Sequence, residues 1–327
     1  MEESESTAVR YTKHQFESST GLKIARYVWN CEEILGVNRI GAVFLVHGFR
    51  AHARFNFLRC IAPDQYEVYE NSIIQKLNAQ GFSVYAHDHI GHGESEGQRA
   101  YVDSFDALVV STLEAISDVK ICHQLDESLP LFIIGHSLGG SVAIAACMRS
   151  PHLFQGAIFS SPAVEPPSNM LGWKGVFLAQ ISGILSWLVP ELEVLSLPPN
   201  ALFPELHEMF KNDPLNSNVG LRARVGHEFL RLYKFISDNA SELKTSFLIT
   251  DGEDDGLVNP AGIVRFYEAA DVKDKSVQIV PNMWHNLLIE PGADQVIDSY
   301  VEWIVKRREV CLSNSDADGE AEADHEN

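Results

Sequence analysis

Ser137 lies at the centre of "GHSLG" (Gly135 to Gly139), between the apolar run "LFII" and the helix-forming "LGGSVAIAACM". A serine on a strand-to-helix turn, with glycine two residues to each side, has the pattern of a nucleophile elbow. Its hydroxyl reacts only when a base accepts its proton, so the pattern calls for a histidine and a carboxylate elsewhere in the chain, in the order serine, acid, histidine. Downstream histidines are His152, His207, His227, His285 and His325; His285, in "PNMWHNLL", follows an apolar strand by a short loop and precedes a helical pattern. For the acid, "ITDGEDDGLV" offers Asp251, Glu253, Asp254 and Asp255 just beyond a strand end. Turn chemistry alone would account for several of these, and spacing does not choose between Asp254 and Asp255. Acyl transfer also needs two backbone N–H groups for the oxyanion, expected from Leu138, after the nucleophile, and from Phe49, in the "HGFR" loop after the third strand. His47 in that loop reads as a structural side chain.

A second cluster suggests other chemistry. "YAHDHIGHGES" (Tyr85 to Ser95) sets His87, His89 and His92 beside Asp88 and Glu94, as a metal site would. Zinc needs further ligands from elsewhere, and no second cluster with suitable spacing occurs. The stretch is better explained as a glycine-rich turn whose backbone is tied by Asp88 and His92. No metal and no cofactor is expected.

These groups must be carried to one edge of a sheet. Short apolar, β-branched runs alternate with helical patterns, the mark of a mostly parallel sheet covered by helices. The expected strands are Ala42 to Val46, Phe82 to Ala86, Leu131 to Gly135, Gly156 to Ser160, Ser246 to Thr250 and Ser276 to Val280. Expected helices cover Tyr66 to Gln80, Phe105 to Cys122, Leu138 to Arg149, Val264 to Ala270 and Asp294 to Lys306. The candidate reactive residues all follow carboxyl ends of strands, where ligands of open α/β sheets collect. From about Val164 to Glu242 no buried strand is evident, and a structureless loop of that length does not suit a compact domain, so a small helical lid is expected. Its apolar stretch "WKGVFLAQISGILSWLV" has too many apolar residues for one helix face; some should line a cavity or face a membrane.

The chain has 327 residues, 45% apolar and 21% charged, the composition of a globular protein with one large core. Its net charge of −20 opposes association with nucleic acid or an anionic bilayer by electrostatics alone. Nine acids in the terminal stretches contribute nine of those charges, leaving −11 for the body. In the tail, acids recur at every second position from Asp316 to Glu326 with nothing apolar larger than alanine between them, a composition expected to be disordered. Five widely spaced cysteines without a C-x-x-C pair suit a reducing compartment. "MEESESTAVR" has no apolar run, so a cytoplasmic location is expected, with peripheral membrane contact through the lid as the alternative.

Together the motifs resemble the monoacylglycerol lipase branch of the α/β-hydrolases, the lysophospholipase or serine-aminopeptidase-like group. The resemblance runs from about Tyr11 to Arg308 through "HGFRAH", "AHDHIGHGESEGQRAYVDSF", "LPLFIIGHSLGGSVAI", "FSSPAV", "NDPL", "DGEDDGLV" and "WHNLLIEP". It implies an α/β-hydrolase fold, with a mostly parallel central sheet flanked by helices and a helical cap inserted after the sixth strand. The implied division is a flexible start at 1–9, core at 10–163, cap at 164–242, core again at 243–310, and the acidic tail at 311–327. It further implies Ser137 as nucleophile, Asp255 as acid, His285 as base, and Phe49 and Leu138 as the oxyanion hole. A lipid ester would enter through the cap, lined by Trp173, Phe177, Leu178, Ile181 and Leu185, with Val176, Ile184, Trp187 and Leu188 as further candidates. The branch usually has "HG-x-x-EH", where the glutamate helps read glycerol hydroxyls; here Ala51 takes its place, while His52 is kept as a substrate-binding candidate and Arg54 and Phe55 stand where an arginine is expected. Lysophospholipids, other esters or thioesters suit the same chemistry. A peptidase would need a cap carboxylate for a peptide amino terminus, for which Glu191, Glu193 and Glu205 are available. A non-catalytic receptor would normally have lost part of its triad.

Overall fold

In the computed structural model, residues 10–62, 67–126, 128–167 and 173–323 are described, without the side chains of 173–179 and 310–323. The chain opens with β1 (Thr12–Glu17) and β2 (Lys23–Trp29), then α1 (Cys31–Leu35), β3 (Gly41–Val46), α2 (Ala53–Phe57), α3 (Ile73–Ala79), β4 (Phe82–His87) and α4 (Phe105–Cys122). It continues through β5 (Leu131–His136), α5 (Leu138–Arg149) and β6 (Gly156–Ser160). An insertion follows, made of α6 (Trp173–Leu188), β7 (Glu193–Leu195), α7 (Pro204–Asn212), β8 (Leu221–Arg222) and α8 (Ala223–Asn239). The core resumes with β9 (Phe247–Gly252), α9 (Pro260–Ala269), β10 (Lys275–Val280) and α10 (Ala293–Ala323).

Eight strands form one sheet in the order β1-β2-β4-β3-β5-β6-β9-β10. The β1–β2 and β2–β4 pairs are antiparallel and every other pair is parallel. The mostly parallel sheet and the insertion after the sixth strand are as expected. Burial on both faces explains the unbroken apolar runs: Ala42, Phe44 and Val46 of β3 pack into one core, Val43 and Leu45 into the other. The register aligns the reactive edge, with Val46 opposite both His87 and Gly135, His136 opposite Ser160, and Ser160 opposite Thr250. Loops leaving these positions therefore start side by side.

Four expectations need correction. The helix expected over Tyr66 to Gln80 begins only at Ile73, because Asn71 turns at φ 57° and the Ser72 hydroxyl accepts from Gln75 N at 3.2 Å, an N-cap. The helix expected from Val264 begins at Pro260, where the Asn259 side chain caps Ala261 N and proline is suited to the first turn. The insertion is not wholly helical, since β7 and β8 pair as a short antiparallel ribbon. The last helix passes Lys306 and continues to Ala323, so the backbone at 311–323 is helical where disorder was expected; once a helix is nucleated on the core, extension costs little. The remaining tail and the N-terminal segment 1–9 lie outside the described residues.

Candidate active site

Ser137 sits between β5 and α5 with φ 54° and ψ −122°. For a non-glycine residue this costs about 1–3 kcal/mol and persists only where the surroundings impose it. The surroundings here do: a β-carbon on Gly135 would lie 2.3 Å from Gly139 O, and one on Gly139 would lie 2.1 Å from Val46 O. Only glycine permits α5 to start so close to the end of β3. Ser137 N donates to Ser160 O at 2.9 Å, and Ser137 O accepts from Gly140 N and Ala163 N, which pins the turn on both sides. The N–H of Leu138 heads α5, and the Phe49 N–H follows β3; neither makes a hydrogen bond among the described residues. Gly48 brings the Phe49 loop against the elbow, since a β-carbon on Gly48 would lie 3.1 Å from Ser137 Cβ, and the Asn56 side chain holds Gly48 N at 2.9 Å.

His285 lies between β10 and α10. Its Nδ1 donates to Asp255 Oδ2 at 2.6 Å, while Asp255 Oδ1 accepts from Leu257 N at 2.6 Å and Val258 N at 2.9 Å. The Asp255 side chain is fully buried, whereas Asp254 is exposed; of the two residues that spacing left open, Asp255 is the one bonded to His285. Ser137 and His285 line one cavity of about 260 Å³ together with Phe49. The His136 ring, next to Ser137, lies 4.9 Å from the His285 ring between centroids. A hydroxyl, an imidazole oriented by a carboxylate and the Phe49 backbone share one cavity, with the unused Leu138 N–H directly after Ser137, and groups of these kinds are what acyl transfer requires.

One group around this arrangement, Glu290, escaped the sequence reading, and a second, Asp251, was offered there only as a candidate acid. Glu290 is fully buried and accepts from Trp284 N, His285 N and Asn286 N at 2.7 to 2.9 Å, so one carboxylate fixes the turn that presents His285. Its signal was an acid directly after the apolar "LLI", where a charge must find partners. Asp251, at the end of β9, is also fully buried; burial, and next the charge of neighbouring Asp255, hold its carboxyl well above the usual carboxylate range. A raised pKa of this kind contributes stability that is complete below the unfolded value, near 4, and is lost as pH climbs toward the folded value. We expect Asp251→Asn to match the parent at about pH 4 and to become progressively more stable than it as pH rises from there. Thermal melting across that range tests this; a difference independent of pH would disprove it.

The other proposed site residues divide. Leu185 lines the cavity, but Ile181 does not, and Ile184, Trp187 and Leu188 face outward at 61%, 79% and 60% exposure. Over residues 180–188, where the side chains are described, only one narrow stripe turns inward, so Ile184, Trp187 and Leu188 cannot share the lining. The side chains of Trp173, Val176, Phe177 and Leu178 lie outside the described residues. His52 also does not line the cavity; it is buried, and its Nε2 donates to Asp213 Oδ2 at 3.1 Å, joining the core to the insertion. Burial alone would raise the Asp213 carboxyl, but the His52 bond and charge and the Leu215 and Asn216 N–H groups hold it below its usual range. Among the described residues, His52, Glu67 and Asp213 are the group close enough to share a cation, yet Arg54 already pairs with Glu67 at 3.1 Å and with Glu94 at 3.0 Å.

The histidine turn is occupied by backbone work. Asp88 accepts from Ala53 N at 2.9 Å, Glu94 N at 2.8 Å and Tyr27 OH at 2.7 Å, and His92 Nδ1 donates to Ile90 O at 2.9 Å. His47 accepts His89 N at 2.8 Å and donates to Gly48 O at 2.8 Å, while His89 Nε2 donates to His47 O at 3.1 Å. Burial lowers the pKa of His87 and of His92 to about 4, so both rings are neutral.

A mostly parallel eight-stranded sheet, a serine on a strained turn after β5 and a largely helical insertion after β6 define an α/β-hydrolase. The chain belongs to the family described as serine aminopeptidase, S33, whose profile matches residues 38–292, and to its monoacylglycerol lipase-like branch. It is 26% identical to the monoacylglycerol lipase of Mycolicibacterium smegmatis over 90% of this chain and 97% of that one. It is 30% identical to the human monoglyceride lipase over 62% of this chain and 66% of that one. The crystal structure of Paleococcus ferrophilus monoacylglycerol lipase superposes with a TM-score of 0.69 at 25% identity, covering 88% of this chain and 99% of that one.

Proposed function

We propose that this carboxylic ester hydrolase is a serine esterase of monoacyl lipids, a monoacylglycerol lipase or lysophospholipase acting through Ser137, His285 and Asp255. The observation that carries the reading is the Asp255–His285 hydrogen bond of 2.6 Å at a cavity that Ser137 also lines. In the proposed reaction Ser137 Oγ attacks the ester carbonyl and His285 Nε2 takes the proton. Asp255 stabilises the imidazolium, and the N–H groups of Phe49 and Leu138 receive the oxyanion. His285 then protonates the departing alcohol, and water repeats the sequence on the acyl-enzyme. Acyl binding draws on apolar burial, roughly 0.8 kcal/mol per methylene, against Leu185, Leu206, Phe229 and Ile289 of the lining.

An aminopeptidase reading is less well supported, because no Asp or Glu among the described residues lines the cavity to hold a peptide amino terminus. Glu193 instead accepts from Gly220 N at 3.1 Å, and Glu191 and Glu205 are exposed. A membrane contact through the insertion is supported by its outward apolar surface, Ile184, Trp187, Leu188 and Leu192. Among the described residues no helix is long and apolar enough to cross a bilayer.

One assay tests the reading. Monoacylglycerol in phosphatidylcholine vesicles should be hydrolysed, and a fluorophosphonate should label the peptide containing Ser137. Trp187→Ser with Leu188→Ser should lower vesicle co-flotation several-fold while hydrolysis of a water-soluble short-chain ester continues. Labelling elsewhere, or no hydrolysis of any monoacyl ester, would refute the assignment; unchanged flotation would refute the membrane contact.

A further inference from the structure

Arg50 is the only Lys, Arg, Asp or Glu among the described residues lining the cavity. It directly follows Phe49, so its backbone adjoins the loop offered for the oxyanion. Its conformation is costly: φ is 64°, a left-handed turn where glycine would be unstrained, and the turn is held by Ser217 N donating to Arg50 O at 2.8 Å. The side chain crosses to the insertion, where Nη1 donates to Val219 O at 3.2 Å and the guanidinium lies over the Phe210 ring at 5.3 Å from the centroid. No described carboxylate forms an ion pair with it. A guanidinium has five N–H donors, of which this one uses a single donor on the protein, and ring stacking leaves the in-plane edge available.

Burial acts on Arg50 without an opposing acid and draws its pKa down from the ordinary value. His207, also in the lining, has its pKa lowered chiefly by burial, which Glu208 opposes and the charges of Lys211 and Arg50 reinforce. Among the described residues no carboxylate lines the cavity, so nothing in the lining neutralises this cation.

Resting on the esterase reading, we propose that Arg50, assisted by His207, is a specificity determinant that binds an anionic group, phosphate or carboxylate, carried on the alcohol side of the ester. The position answers the missing glutamate at Ala51: where the resembling lipases are expected to read neutral hydroxyls, this chain presents a fork suited to two oxygens of an anion. The scissile bond and the anion are then held by adjacent residues of one loop, which confines the anion to the alcohol portion, close to the ester.

The test compares 1-dodecanoylglycerol, 1-dodecanoylglycerol 3-phosphate and 3-dodecanoylglycerate as substrates of the full-length protein and of Arg50→Gln and Arg50→Lys. The ratio of kcat/KM for the acidic ester to that for the neutral one should fall about tenfold or more in Arg50→Gln, mainly through KM, and less in Arg50→Lys. A larger fall in the phosphate arm identifies phosphate as the ligand, and a larger fall in the glycerate arm identifies carboxylate. Equal losses on all three substrates would overturn the proposal, leaving Arg50 as a tie to Val219. If the variants do not fold, inhibition of the parent by glycerol 3-phosphate and glycerate, measured against glycerol, decides: a preference that salt weakens supports it, and equal inhibition overturns it. Calorimetric binding of dodecyl phosphate against dodecanol needs no catalysis, so it separates failure of this subsite from failure of the esterase reading.

Discussion

Replacing Ser137 by alanine is expected to lower kcat for a monoacyl ester by roughly six orders of magnitude with little change in melting temperature. The backbone at this position is already at φ 54°, and alanine is strained there to the same degree as serine, so the elbow should persist. The glycines that let α5 approach β3 are untouched, and Ser160 O still receives the N–H of residue 137. What disappears is the hydroxyl alone. The N–H groups of Phe49 and Leu138 and the apolar cavity remain, so a residual acceleration of about 10³ to 10⁴ over water is expected. Single-turnover kinetics with far-ultraviolet circular dichroism as the folding control make the measurement. A variant that keeps more than a hundredth of the parental kcat would show that another group attacks the ester.

Changing Asp255 to asparagine should cost about four orders of magnitude in kcat, and the geometry gives the reason. One oxygen of the side chain faces two donors, Leu257 N and Val258 N; the other faces His285 Nδ1. In asparagine the carbonyl oxygen must take the first position, which points the amide N–H₂ at His285. Nδ1 is then forced to accept, the ring proton moves to Nε2, and the nitrogen that should take the serine proton is already occupied. Glu290 holds the backbone of His285 as before, so the ring stays in place while its tautomer is wrong. Asp254→Asn should change kcat less than tenfold, because that side chain is exposed. The reverse order of effects, measured by kcat at pH 7 to 8, would reassign the acid.

What could be seen in the sequence follows from how local each signal is. The elbow was legible because a strand, a serine turn and a helix start lie within ten residues, and because glycine has a steric meaning there. His285 was legible by its place between a strand and a helix. Asp254 and Asp255 could not be separated by spacing, since adjacent turn residues differ only in where their side chains point, a property of the folded loop; the family resemblance chose between them. Glu290 went unseen, and Asp251 was offered as a candidate acid without its burial being foreseen, because burial of a carboxylate is settled by distant packing. His52 was read as a substrate ligand, whereas its partner, Asp213, lies 161 residues away and no local pattern could join them. The outward turn of Trp187 had the same cause: apolar residues around a whole helix do not announce which face meets the core. The hairpin of β1 and β2 was missed for another reason: β1 is mostly exposed and carries no buried stripe, and the buried run of β2 is interrupted by Arg26, a charge that the sequence alone does not mark as buried.

The bonds between insertion and core have a mechanical consequence. Asp213 is joined to His52, Glu228 accepts from Phe105 N at 3.0 Å at the start of α4, and Arg224 donates to Asp103 O at 2.7 Å. The stretch from 213 to 228 is therefore a fixed floor riveted to the sheet domain, and lifting it would cost Asp213 its His52 bond and Glu228 its Phe105 N–H, leaving each only partners within the insertion. Passage of a long chain falls instead to the upper storey, α6 with β7, which rests chiefly on α8. Tolerance for chain length would be tuned at that upper storey, while the floor keeps the loop of Phe49 and Arg50 at constant distance from the elbow.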